Sequence, residues 1–232
     1  MKKVDKLELI DYKSKNIKND YYTHEKKPTS LIIVFPGYGY DSNSPLFFYL
    51  KELVYDLGYD FITIDYRYNE NQEFLDLPES DKLKWLEYDS NIFYETIKQN
   101  TDYKQYFLLG KSLGTTAILN ILQNEKNREK ETLILLTPAM SQAALIDIIK
   151  DFKTPVFFQI GDVDPYYSKK NINFLKNNKN IELDILSDMG HAYETGDDIY
   201  KSILNLITAL KNIEKFLENV KNDQHGDESD KM

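Results

Sequence analysis

The sequence predicts an α/β fold: a mostly parallel sheet of about eight strands, covered by helices on both faces. Three observations lead there. Nearly continuous runs of Leu, Ile, Val and Phe recur at 31–35, 61–64, 106–109, 133–136, 156–160 and 181–186. Apolar runs without polar alternation mark strands buried on both faces. Longer amphipathic stretches separate them, at 45–57, 83–98, 113–124, 142–150, 165–177 and 197–220. Finally, 232 residues at 41% hydrophobic suffice for a sizeable core.

Taken in order, the chain opens with two polar, Tyr-bearing segments, 6–12 and 20–24, expected to form an antiparallel N-terminal edge. The first apolar strand runs into a Gly-rich turn, Pro36-Gly37-Tyr38-Gly39-Tyr40. After the second, 69–82 reads as a long acidic loop beside a site. Between 138 and 154 there is room for one short helix, which predicts no separate cap domain and an open pocket. No internal repeat or Gly/Ser/Pro-rich linker interrupts the chain, so 1–221 reads as one domain. The stretch 222–232 is polar and aperiodic and reads as a disordered tail.

Composition narrows the functional classes. The formal charge is −9, with lysines interspersed among acids. Nucleic-acid binding needs a clustered basic surface instead. The absence of cysteine removes disulfides, thiolate nucleophiles and Cys-based metal sites. The N-terminal residues are charged where a signal peptide is apolar, and no run approaches the ~18 apolar residues of a membrane span. A cytoplasmic location without membrane insertion is therefore expected.

The chemistry concentrates at Gly110-Lys111-Ser112-Leu113-Gly114, where a buried strand passes through G-x-S-x-G into a helical stretch. A serine on so tight a turn is forced into strained backbone angles and crowds residues two positions away. Gly110 and Gly114 lack the Cβ atoms that would collide. The turn lifts the hydroxyl above the sheet, beside the free N–H groups of a helix N-terminus. In a chain of this composition, chance yields only about 0.02 such matches. Gly110-Lys111-Ser112 also ends a phosphate-binding loop. That motif needs a glycine where Gln105 stands and a flexible loop where 106–109 is strand.

A serine hydroxyl needs a base within hydrogen-bond reach. Of the three histidines, His24 lies in the N-terminal edge and His225 in the tail. His191 follows the last apolar strand, where loops at strand C-termini gather sites. An orienting carboxylate is expected after the preceding strand, where Asp162 and Asp164 compete. The placement favours Asp164, although an aspartate before Pro165 also suits a helix N-cap. The turn after the first apolar strand, ordinary by itself, is positioned to aim the Tyr38 N–H at an oxyanion. The N–H of Leu113 is the second donor. Tyr38, Tyr40, Met140, Tyr166 and Tyr193 adjoin these motifs and are expected at a substrate rim.

With Ser112, Asp164 and His191 in that chain order, the sequence resembles the α/β-hydrolase superfamily from about residue 28 to 220. Within it, the chain is similar to small, capless bacterial esterases of the dienelactone-hydrolase-like type. Gly37-Tyr38-Gly39 matches the H-G-x-G turn except that Pro36 replaces the histidine. Asp65-Tyr66-Arg67 is similar to a D-x-R that often follows the next strand, with Tyr68 in place of a small continuation. The resemblance implies a serine hydrolase of the carboxylesterase type, acting on an ester, thioester or related small acyl substrate without metal or organic cofactor. The same residues also suit an acyltransferase, or a hydrolase-fold protein that only binds.

Overall fold

The computed structural model describes residues 3–124, 131–139 and 143–229. The apolar runs become strands, and all but the last bury both of their faces; in the last, Glu182 is exposed and residues 183–185 are half-buried. They are β3 (Ser30–Phe35), β4 (Asp60–Asp65), β5 (Gln105–Lys111), β6 (Thr132–Leu136), β7 (Val156–Gly161) and β8 (Ile181–Leu186). With β1 (Lys3–Asp5) and β2 (Lys18–Thr23) they form one sheet in the order β1-β2-β4-β3-β5-β6-β7-β8. β1 and β2 are antiparallel; β3 to β8 are parallel.

The helices are α1 (Pro45–Asp56), α2 (Gln72–Leu75), α3 (Glu79–Asn100), α4 (Leu113–Asn124), α5 (Ala143–Ile149), α6 (Lys169–Leu175) and α7 (Ile199–Ser229). Strand side chains alternate between two cores. Leu31, Ile33 and Phe35 point to the face covered by α3, α4, α5 and α6. Ile32 and Val34 point to the face covered by α1 and α7. Each such side chain contributes about 1.5–3 kcal/mol when fully buried.

Register sets where the site lies. Phe35 pairs with Gly110, Lys111 with Leu136, and Gly161 with Leu186. The loops after β3, β5, β6, β7 and β8 therefore leave the sheet along one edge. This is the C-terminal edge, where open α/β sheets carry their ligands.

Four segments differ from expectation. The first strand is Lys3–Asp5, not 6–12. In its place side chains hold the backbone: Asn19 bridges the N–H and C=O of Leu7, and Asp11 Oδ1 accepts from the N–H groups of Lys13 and Lys15. The 69–82 segment is not a loop but a 3₁₀ turn at Tyr68–Glu70, then α2 and the start of α3. Phe74 is buried there, stacked on Tyr68 at 4.4 Å, so an acidic stretch gains an apolar anchor. α6 starts at Lys169, capped by Ser168, rather than at Pro165. The last helix runs to Ser229, so residues 222–229, read as part of a disordered tail, continue the helix that starts at Ile199. Among the described residues, no helix is long and apolar enough to cross a membrane.

Candidate active site

Ser112 joins β5 to α4 and has φ of +52°, a left-handed conformation that costs a non-glycine residue strain. Its neighbours accommodate that strain. A Cβ on Gly110 would come within 2.7 Å of the Gly114 backbone, and one on Gly114 within 1.8 Å of Phe35 O. Both distances are impossible for real side chains, so glycine at each position lets the first turn of α4 lie on β3 and β5. Ser112 N donates to Leu136 O at 3.0 Å, tying the turn to β6.

His191 leaves β8 through a compact loop. Gly190 N donates to Glu194 O at 2.7 Å, and the Glu194 carboxylate accepts from Ala192 N at 2.7 Å. The imidazole reaches both predicted partners. Its Nε2 lies 2.8 Å from Ser112 Oγ and its Nδ1 2.8 Å from Asp164 Oδ2. An ionised carboxylate only accepts, so Nδ1 carries the proton and the Nε2 lone pair faces the serine hydroxyl.

The two aspartates separate by geometry. Asp164 is 4% exposed, and its second oxygen accepts from Tyr166 N at 2.8 Å. It therefore caps a turn as well as holding the imidazole, although α6 begins too late for it to be a helix cap. Asp162 instead accepts from Asp188 N at 2.7 Å, anchoring the loop that carries His191 without touching the ring.

On the other side of Ser112 lies the turn after β3. Gly37 N donates to Tyr40 O at 3.2 Å, and a Cβ on Gly37 would sit 3.5 Å from Ser112 Cβ. Tyr38, next in the turn, is 44% exposed. Leu113 is the first residue of α4, where helical N–H groups have no intrahelical acceptor.

The expected rim tyrosines divide. The Tyr166 ring meets the His191 ring edge-on at 5.2 Å and is 41% exposed. Tyr40 turns inward: its hydroxyl accepts from Leu46 N at 3.1 Å and its ring covers Lys111. Tyr193 does not face a rim at all. It is 1% exposed and donates to Gln159 Oε1 at 3.0 Å inside the sheet. Its backbone is left-handed, with φ of +71°. Met140 lies outside the described residues.

Sequence reasoning passed over Lys111, which is 1% exposed. Its Nζ donates to His191 O at 3.0 Å and Thr137 Oγ1 at 3.2 Å, and lies 4.5 Å from the Tyr40 ring centroid. Burial pushes its ammonium down to about 8, against the attraction of Asp164 and Glu194. The signal was a charge at the end of a strand whose preceding residues, 106–110, carry no charge and are buried. Among the described residues, no three His, Asp or Glu side chains converge as a metal ion requires.

A hydroxyl, an imidazole and a carboxylate in hydrogen-bonded series, at the C-terminal edge of a sheet in this order, define the α/β-hydrolase architecture. No family model matches the chain, and no curated protein matches it by sequence. Solved structures do. The Pyrococcus furiosus esterase Pf2001 superposes with TM-score 0.66 at 14% identity, over 94% of this chain and 93% of its own. Est1E from Butyrivibrio proteoclasticus, with ferulic acid bound, gives 0.64 at 15% identity over 90% and 97%. An α/β serine hydrolase homologue from Coxiella burnetii gives 0.63 at 14% identity over 91% and 96%. The chain has the α/β-hydrolase fold.

Proposed function

We propose that this protein is a serine hydrolase of the carboxylesterase type, cleaving an ester or thioester of a small acyl group through an acyl-enzyme. One observation carries the reading: His191 spans Ser112 Oγ and Asp164 Oδ2 at 2.8 Å on either side. A binding protein has no physical need for a strained serine facing an imidazole lone pair.

In this mechanism Ser112 Oγ attacks the acyl carbonyl as His191 Nε2 takes its proton. Asp164 keeps the Nδ1–H tautomer and offsets the imidazolium charge. The oxyanion accepts from the Tyr38 and Leu113 N–H groups, each such donor being worth about 3 kcal/mol in the transition state. His191 passes its proton to the leaving alcohol or thiol. It then deprotonates a water that attacks the acyl carbonyl, freeing the acid and restoring Ser112.

Tyr38 and Tyr166, exposed beside the turn and the imidazole, favour small or aryl-containing acyl groups. The site needs no metal or organic cofactor for these steps. The absence of cysteine suits a reducing, cytoplasmic setting.

A fluorophosphonate probe with a p-nitrophenyl acyl-ester series tests the reading. The wild type is expected to label once and to release both p-nitrophenol and the free acid, while Ser112→Ala does neither with its fold intact. Labelling that survives in Ser112→Ala refutes the proposal. Release of acyl product only when an alcohol or amine acceptor is supplied replaces hydrolysis with acyl transfer.

A further inference from the structure

Lys111 and Ser112 are consecutive, and both reach the same residue. Ser112 Oγ meets the His191 side chain at 2.8 Å, while Lys111 Nζ meets the His191 backbone carbonyl at 3.0 Å. The two contacts close a ring between the end of β5 and the loop after β8. A single contact fixes a distance; two contacts from neighbouring residues also fix an orientation.

The same ammonium touches two further loops. Thr137 Oγ1, just past β6, accepts at 3.2 Å. The Tyr40 ring, on the turn after β3, lies 4.5 Å away, and the Tyr193 ring in the His191 loop lies 5.7 Å away. One buried cation thus joins the nucleophile strand, the turn carrying Tyr38 and the loop carrying the base.

A methionine or leucine would fill this space without desolvating a charge. Burial does oppose the charge, pushing the ammonium down to about 8. What an aliphatic residue cannot supply is the pair of donated hydrogen bonds.

We propose that Lys111 is a positioning residue: its Nζ, bound to His191 O and Thr137 Oγ1, holds the imidazole in line with Ser112 Oγ and Asp164. This role rests on the reading of Ser112 as nucleophile and His191 as base. Lys111 touches no reacting atom and acts through His191. Displacing a base by about 1 Å is enough to slow a reaction by about 100-fold.

The test compares wild type with Lys111→Met, which keeps length and burial and removes every donor, at a temperature where both are fully folded. With p-nitrophenyl acetate, kcat is expected to fall about 10- to 100-fold while KM stays within about twofold. Fluorophosphonate labelling of Ser112 is expected to slow in step. Lys111→Gln, which keeps an N–H donor, is expected to regain part of the loss. A lowered unfolding midpoint with unchanged kcat and labelling overturns the proposal, because that is what packing alone produces.

If the buried methionine prevents folding, Thr137→Val replaces it. That variant keeps volume, removes the other acceptor of Nζ, and is expected to slow labelling about threefold; no slowing overturns the proposal. If wild type does not label at all, the hydrolase reading fails, and the positioning role is read by NMR instead. The His191 Nδ1–H proton bound to Asp164 should then be sharp and downfield in wild type and broadened in Lys111→Met. Identical resonances in the two proteins overturn it.

Discussion

Two imidazole–carboxylate pairs sit at opposite ends of the parallel sheet, and their contact distances are nearly the same. At the C-terminal edge, His191 Nδ1 lies 2.8 Å from Asp164. At the N-terminal edge, His24 Nδ1 lies 2.9 Å from Asp60. Each carboxylate is buried, and each cluster includes a hydroxyl. The lower pair even opens on a cavity of about 460 Å³. What separates them is the order of the groups.

In the upper cluster the imidazole stands between hydroxyl and carboxylate, so it can take the hydroxyl proton. In the lower cluster the carboxylate stands in the middle. It accepts from His24 on one oxygen and from the Tyr103 hydroxyl on the other, and Tyr21 pairs in turn with Tyr103. The second nitrogen of His24 faces Tyr55 O at 3.1 Å, and its ring stacks on Tyr55 at 3.9 Å. Neither nitrogen faces a hydroxyl, so the cluster fastens β2 and β4 together. A histidine and an aspartate in contact do not make a relay; the sequence of donors and acceptors does.

Exchanging the histidines gives the largest expected contrast. His191→Gln should lower kcat on an activated ester at least 1,000-fold, whereas His24→Gln should leave it close to wild type. Comparable losses in both would dissolve the distinction. Next come the aspartates of the upper end. Asp164→Asn, which disfavours the needed tautomer, should cost about 10³–10⁴-fold in kcat. Asp162→Asn, which keeps an acceptor for the Asp188 N–H, should cost less than about tenfold. A greater loss in Asp162→Asn would move the orienting role to that residue. The smallest effect belongs to the lower carboxylate. Asp60→Asn should lower unfolding free energy by about 1–3 kcal/mol in urea titrations, with turnover per folded molecule unchanged.

Much of this was legible along the chain. Five of the parallel strands, β3 to β7, appear as nearly unbroken apolar runs, because burial on both faces removes polar alternation, whereas edge strand β8 keeps Glu182 and Asp184 between its apolar residues. The elbow is readable because its demand is local: glycines two positions either side of a strained serine. His191 stood out through scarcity and its place after the last strand. The segments that misled depend on contacts distant in sequence. Residues 6–12 read as strand, but Ile10 makes only an isolated bridge to Asn16, and the Asn19 and Asp11 side chains supply further hydrogen bonds where a ladder would. Residues 69–82 read as loop because charge outweighed Tyr68 and Phe74, whose stacking is visible only in space. Tyr193 adjoins a site residue yet points into the sheet toward Gln159. Adjacency in sequence does not fix which way a side chain points.

The order of residues alone thus determined the alternating architecture and the strained serine, since both follow from hydrophobic burial and from steric limits within a few residues. Tertiary structure alone placed Asp164 rather than Asp162 against His191, set which imidazole faces a hydroxyl, and decided what Lys111 touches. Hydrogen bonding is directional over about 3 Å, and only the packed sheet brings residues tens of positions apart within that range.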